Sequence, residues 1–570
     1  MQLSSPNKQA FMILLVISSL TILPFLGLND FHTKGEPREA IVAVSMIKNG
    51  DWILPTNNGG DIAYKPPFFH WCIAVASLCQ GHVTEYASRL PSALGLIAMV
   101  MGCFLFFAKR KDTSTALIAG LLTLTAFEVH RAGLNCRVDM VLTVFIVLAL
   151  LQLYKWTERG RKGFPYLSVV FMGLGVLTKG PVGILLPCLV TGVYLLLRGV
   201  KFSKALLSLS LIGITSLILP AIWYYFAWQR GGHEFISLVM EENFGRFMGT
   251  MSYESHKNPA IYNVVTVIAG LVPWTLLLLF SLFSYRFKKL NGNMKEWWNK
   301  LKKSVIAMDN LRLFTLLAIV VIFVFYCIPE SKRSVYLLPI YPFIAWFMAE
   351  YIQFLAQKKS KSLTAFGYFF SVLSVLLILT FIFVASGLVS SQWFTGKHAA
   401  ENLLYVQALE NTPLSVVNLL FIILPLIPVL WFIGLNRKKD YSKKFIYAIC
   451  AIILAINVSL DGFYQPTVLN VKSDKPLAKE LAIIEPQAPI YSYINDRFLR
   501  FYTVDFYLSD RVRLFEKDMP QEGCLLVGKR DSETFLTKYE KEYSFKEILH
   551  TANKGCDIGD IIYLYRFAKK

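Results

Sequence analysis

At 570 residues, 55% hydrophobic and only 17% charged, the chain departs from soluble proteins, in which about a quarter of residues are charged. Its mean hydropathy is +0.48, and its apolar residues fall in long runs rather than at helix or strand spacing, which predicts a polytopic membrane protein. The formal charge of +20 does not indicate a nucleic-acid partner, because residues 461–570 hold 17 basic and 17 acidic side chains and the excess lies in short loops upstream.

The first apolar run, residues 9–28, follows Lys8 and lacks a small-residue cleavage site, so it reads as an uncleaved anchor. A long loop, 29–89, comes next; within it the apolar stretch 66–80 is too short to span and is expected to lie along the interface. Spans are predicted over 91–108, 116–127, 138–154, 165–177, 182–197, 206–227, 264–283, 311–328, 335–349, 363–385, 414–433 and 445–460. With the anchor this makes about thirteen.

Every second loop is short and basic: 109–111, 155–162, 198–204, 286–303, 358–361 and 437–444. The alternate loops, 29–89, 130–137, 228–262, 329–333 and 390–413, are mixed in charge and richer in acids. By the positive-inside rule the N-terminus is expected in the cytoplasm and the tail after Leu460 outside. The expected division is a membrane domain, 1–460, and an extracytoplasmic domain, 461–570. In the tail, strand-like runs at 489–494, 512–515, 524–528 and 561–566 alternate with helical ones at 476–485 and 532–540, predicting a small α/β domain with a partly parallel sheet. It carries no catalytic motif and reads as a structural or docking domain. The nine cysteines show no metal-ligand spacing; Cys524 and Cys556 could form a disulfide in an oxidising compartment or remain free.

Charged and polar residues concentrate in the outer loops. Glu36, Arg38, Glu39 and Lys65 stand in the first, His130, Arg131, Arg137 and Asp139 in the second, and Lys179 in a tight turn between apolar segments. Arg246 and His256, then Lys332, Arg333 and Tyr336, follow. A charge at the membrane edge is costly unless paired or used. Arg and Lys suit phosphate, and a carboxylate suits a general base or a sugar hydroxyl. The combination predicts transfer of a group from or onto a phosphorylated lipid. Each residue also has a duller reading: Lys65 as a snorkelling lysine, Glu36 or Asp139 as a helix-capping acid, and His256 as a solvated loop residue.

Glu36-Pro37-Arg38, Tyr64-Lys65-Pro66-Pro67, Arg89-Leu90-Pro91-Ser92, Arg137-Val138-Asp139-Met140 and Leu177-Thr178-Lys179-Gly180-Pro181 occur in the order that resembles the lipid A aminoarabinose transferases and, more distantly, the protein O-mannosyltransferases. Asn243 to Phe247, His256 to Pro259 and Ser331-Lys332-Arg333 with Tyr336 and Pro339 resemble that family's later loops. The resemblance implies a C-type membrane glycosyltransferase fold and an inverting transferase using a polyprenyl-phosphate-linked sugar. Lys65 would hold the donor phosphate, with Arg246, Lys332 and Arg333 assisting. Glu36 and Asp139 would be the catalytic carboxylates, and Arg38, Tyr64, Arg137, Lys179, His256 and Tyr336 would line the substrate. No metal or cofactor is required. The sugar could be 4-amino-4-deoxy-L-arabinose and the acceptor lipid A; protein hydroxyls are the alternative acceptor, and a lipid or sugar transporter or flippase is the alternative class. The expected location is the bacterial inner membrane. The family's opening Asp-Glu pair is here Gly35-Glu36, so one carboxylate is missing.

Overall fold

A computed structural model describes residues 5–57, 59–245, 248, 257–282, 293–496 and 499–570. The membrane part begins with α1 (Ser5–Ile22), followed by two loop helices, α2 (Pro37–Asn49) and α3 (Phe68–Leu78). Then come α4 (Glu85–Arg110), α5 (Thr113–Thr125), α6 (Phe127–Gly133), α7 (Val138–Glu158), α8 (Tyr166–Lys179) and α9 (Val182–Leu197). The helix starts follow from side chains that accept otherwise orphaned amides: Thr84 caps α4 through the amide of Ala87, and Asp112 caps α5 through that of Thr115. α7 is apolar on all sides and packs against α4, α8 and α9.

Each of the thirteen predicted spans contains helix, and their lengths differ. Among the described residues, eight helices are long and apolar enough to cross a membrane, rising to ten when the bent pairs Phe202–Ser216 with Ile218–Asn243 and Ile261–Gly270 with Trp274–Leu282 are each taken as one span. α5, α8 and α9 have only 13, 14 and 16 residues, short of the ~20 needed for a straight crossing.

The first loop is built around α2 and α3, which pack together, with a small antiparallel pair between them, β1 (Thr56–Asn57) and β2 (Asp61–Ile62). Two indoles fasten the turn before β1: Trp71 donates to the carbonyl of Trp52 at 2.7 Å and Trp223 to that of Ile53 at 2.9 Å. These bonds tie the helix that carries Trp223 to the loop above it.

The tail forms a five-stranded sheet in the order β4-β3-β5-β7-β6. Here β3 is Ile490–Tyr493, β4 is Val512–Leu514, β5 is Glu522–Gly528, β6 is Tyr543–His550 and β7 is Ile562–Lys569. β3 pairs in parallel with β4 and β5, while β7 is antiparallel to β5 and β6, so the sheet is partly parallel as expected. The sequence reading missed β6, because its mixture of charged and apolar residues masks the strand. All nine cysteines are free, and Cys524 lies in the sheet core. The possible Cys524–Cys556 disulfide is therefore absent.

The tail seats directly on the first loop. Tyr507 donates to Glu85 at 2.8 Å and accepts from the amide of Phe31 at 3.0 Å. Lys475 bridges Asp30 at 2.6 Å and Glu85 at 2.8 Å, and Lys48 reaches the carbonyls of Ser509 and Asp510. Phe506 enters the apolar core that α2 and α3 share, its ring 4.7 Å from that of Phe31.

The seat also contains a buried acid. Burial, with Asp474 beside it, pushes the Asp557 carboxyl up to about 8 although the amide and hydroxyl of Thr503 donate to it. An unfolded Asp titrates near about 4. Between those values the native state holds a proton that the unfolded chain has released, so stability falls as pH rises through this window. The melting temperature is expected to drop between about pH 5 and 8, and Asp557→Asn should flatten that slope in a thermal melt series.

Candidate active site

Two carboxylates and a set of cations meet where α2, α7 and α8 end. Glu36 precedes Pro37, which starts α2 with its fixed backbone angle. Both oxygens of Glu36 are engaged: Arg89 donates from Nε at 2.8 Å and Nη2 at 3.0 Å, and the Cys136 amide donates at 2.8 Å. Arg89 spends Nη1 on the carbonyls of Leu26 and Asn29. Burial alone would raise the Glu36 carboxyl, but Arg89 and the Cys136 amide outweigh it and hold it below its ordinary range. Buried and holding three hydrogen bonds, Glu36 ties the loop to α4 and α7.

The carboxylate that faces the cations is one turn further on, at Glu39. It accepts from the Lys65 ammonium, from Arg38 at 3.3 Å and from His70 Nε2 at 3.1 Å. Burial opposes its charge, yet Lys65, His70 and Arg38 keep it well below the usual carboxylate range. Glu39 and His70 were not among the residues given roles from the sequence. Glu39 lay beside the motif residue Glu36, and only its place in the first turn of α2, three positions on, distinguishes it. Nothing in the sequence marks His70, whose Nδ1 is buried without a partner.

The second carboxylate, Asp139, sits in the first turn of α7 and pairs with Lys179 in the last turn of α8. Each charge lies at the helix end whose dipole favours it. Gly180, with φ of 87°, and Pro181 stop α8 so that Lys179 stands at the mouth. The Lys179 ammonium also lies 4.5 Å from the ring centre of Tyr336, a cation–π contact, and Tyr336 packs on Tyr326. Arg137 and Arg333 both lie near Asp139. Tyr64 lies beside Arg38, as does Tyr502 of the tail.

The structure thus brings together Arg38, Tyr64, Lys65, Arg137, Asp139, Lys179, Arg333 and Tyr336. Lys332 is different: its buried ammonium donates to the Pro329 carbonyl at 2.5 Å. Arg246 and His256 lie outside the described residues. Among the described residues, the grouping with metal-ligand spacing is Asp474, Cys556 and Asp557 in the tail. Its donor atoms are already bonded to Thr503 and to one another.

Residues 64–224 match the family described as dolichyl-phosphate-mannose-protein mannosyltransferase. An uncharacterized protein of Aquifex aeolicus is 27% identical over 358 residues, covering 62% of this chain and 66% of that protein. The undecaprenyl phosphate-alpha-4-amino-4-deoxy-L-arabinose arabinosyl transferase 2 of Proteus mirabilis is 27% identical over 403 residues, covering 67% and 66%. The matched region thus spans just under two thirds of these relatives. The crystal structure of ArnT from Cupriavidus metallidurans bound to undecaprenyl phosphate superposes with a TM-score of 0.71 at 19% identity, over 97% of both chains.

The fold is that of the C-type membrane glycosyltransferases. Within that class, the resemblance to the lipid A aminoarabinose transferases and the protein O-mannosyltransferases, read first from motif order, is borne out.

Two outcomes follow from the site's electrostatics. Burial, reinforced by Arg38 and Lys179, draws the Lys65 ammonium down to about 8 although Glu39 opposes the shift. A phosphate ligand needs the ammonium charged, so its affinity should fall as pH rises through about 8. Lys65→Arg should remove that fall in a binding titration, because guanidinium stays charged. Glu36→Ala strands Arg89 and is expected to cost about 3–5 kcal/mol of stability, read as a lowered melting temperature with loss of folded protein.

Proposed function

We propose that the protein is an inverting glycosyltransferase that takes a sugar from a polyprenyl-phosphate donor at the outer face of the bacterial inner membrane. The observation that carries this reading is the gathering of Arg38, Lys65, Arg137, Lys179 and Arg333 around Glu39 and Asp139 at the ends of helices. Such a surplus of positive charge suits a phosphate that gains charge as it leaves. In the reaction, an acceptor oxygen forms a bond to the anomeric carbon while the bond from that carbon to the phosphate oxygen breaks. The leaving electron pair goes to the lipid phosphate, where the cations stabilise it.

The orientation follows from the loop charges, with the N-terminus in the cytoplasm and the tail outside. For the finer substrate assignment, 4-amino-4-deoxy-L-arabinose as the sugar and a lipid A phosphate as acceptor are our reading. The names of the relatives support it, and so does the state of the two carboxylates. Glu39 and Asp139 are both held by cations and are weak bases, which favours an acceptor oxygen that is already ionised. The Glu39 pair would place the Lys65 charge, and Asp139 would place Lys179.

The test is a reconstituted reaction with labelled polyprenyl-phosphate sugar and lipid A, followed by mass spectrometry of the acceptor. Label on the acceptor supports the proposal, whereas movement of the donor across liposomes with no covalent product supports a flippase. Lys65→Ala should reduce transfer by about 100-fold or more while the protein stays folded. Undiminished transfer by that variant sinks the role given to Lys65.

A further inference from the structure

The glycine at position 35 has a steric reason across the bowl. A β-carbon built on Gly35 would lie 2.5 Å from Arg137 Nη2 and 3.1 Å from the guanidinium carbon. Both distances are inside contact range, so the guanidinium occupies the space that a side chain at position 35 would fill. The Nε of Arg137 is buried without a hydrogen-bond partner. A buried donor left unmatched costs about 1–3 kcal/mol, which a bound acceptor would recover.

The other cations of the bowl have spent their donors differently. Arg38 and Lys65 are on Glu39, Lys179 is on Asp139, and Lys332 is on a backbone carbonyl. Among the described residues, no carboxylate within salt-bridge distance pairs with Arg137. Arg333 also lies near Asp139, but among the described cations of the bowl Arg137 combines an orphaned buried donor with a cleared seat. Its planar fork stays charged and presents parallel N–H groups to two oxygens of one phosphate.

From this we infer that Arg137, seated against Gly35, makes the two-pronged bond to the phosphate of the lipid carrier, and that Gly35 is a specificity-determining residue because it leaves room for that guanidinium. The inference rests on the polyprenyl-phosphate reading above and adds to it. Lys65 supplies charge from its pair with Glu39, while Arg137 supplies the uncommitted hydrogen-bond donors. An aspartate at position 35 would fill the seat and pair with Arg137, withdrawing the fork from the phosphate.

The experiment is a double-mutant cycle on the full-length protein in detergent, with undecaprenyl phosphate as the probe and calorimetry as the readout. Gly35→Ala and Arg137→Gln should each weaken binding about tenfold or more. The double variant should be no weaker than the worse single one, because both changes remove the same contact. Arg137→Lys should recover part of the affinity. Melting temperatures separate lost binding from lost folding, and should Gly35→Ala fail to fold, the double variant, which removes the clash, carries the comparison with Arg137→Gln. If the wild-type protein binds and Arg137→Gln binds equally well, this inference falls while the donor reading stands. Additive effects of the two substitutions would overturn the steric coupling. If the wild-type protein does not bind the carrier, the donor reading itself falls and takes the inference with it. Retained carrier binding by Arg137→Gln with a raised KM for the acceptor would reassign Arg137 to the second substrate and overturn the proposal.

Discussion

The buried pair of Glu36 and Arg89 is the constraint on which the site depends. Removing two charges from water is expensive, and the cost is recovered only when geometry is good and every remaining donor and acceptor is used. Here the guanidinium holds Glu36 with two bonds and the carbonyls of Leu26 and Asn29 with a third nitrogen. Glu36 in turn takes the amide of Cys136, just before α7. One ion pair therefore joins the end of the first membrane helix, the start of α4 and the approach to α7. With these anchored, the first turn of α2 has a fixed direction and Glu39 is aimed at Lys65 and His70.

The site is then an arrangement of helix ends. Acids sit in the first turns of α2 and α7 and a lysine in the last turn of α8, each matched to the local dipole. The cations outnumber the carboxylates, and those carboxylates are spent on holding lysines in place. That surplus of positive charge is what the proposed phosphate ligand would meet. Gly35 contributes by absence, since its missing side chain is what allows Arg137 to sit where it does.

The tail is a buttress for this loop. Its residues Tyr507, Lys475 and Phe506 bind the same stretch that α2 and α3 organise, and Tyr502 stands near Arg38. The tail helix Tyr502–Tyr507 packs directly against α2, the helix that carries Glu39.

The membrane class, the order of the helices, the mixed sheet of the tail and the choice of Lys65, Asp139 and Lys179 as candidate site residues were legible in the chain itself. They rest on local properties, namely long apolar runs, alternating loop charge and the cost of a charge at a membrane edge. Which carboxylate does what was not legible. Glu36 and Glu39 are three residues apart on one helix turn, and only partners more than fifty positions away, such as Arg89 and Cys136, commit the first to structure. Lys332 and Arg333 are adjacent, yet one turns inward to a backbone carbonyl and the other stands near Asp139. The fit of Arg137 over Gly35 likewise joins residues a hundred positions apart. The sequence by itself determined the medium the protein lives in and which residues carry charge. Only the tertiary structure decided which charges neutralise one another and which remain for a ligand, because that depends on distances between segments that no local pattern encodes.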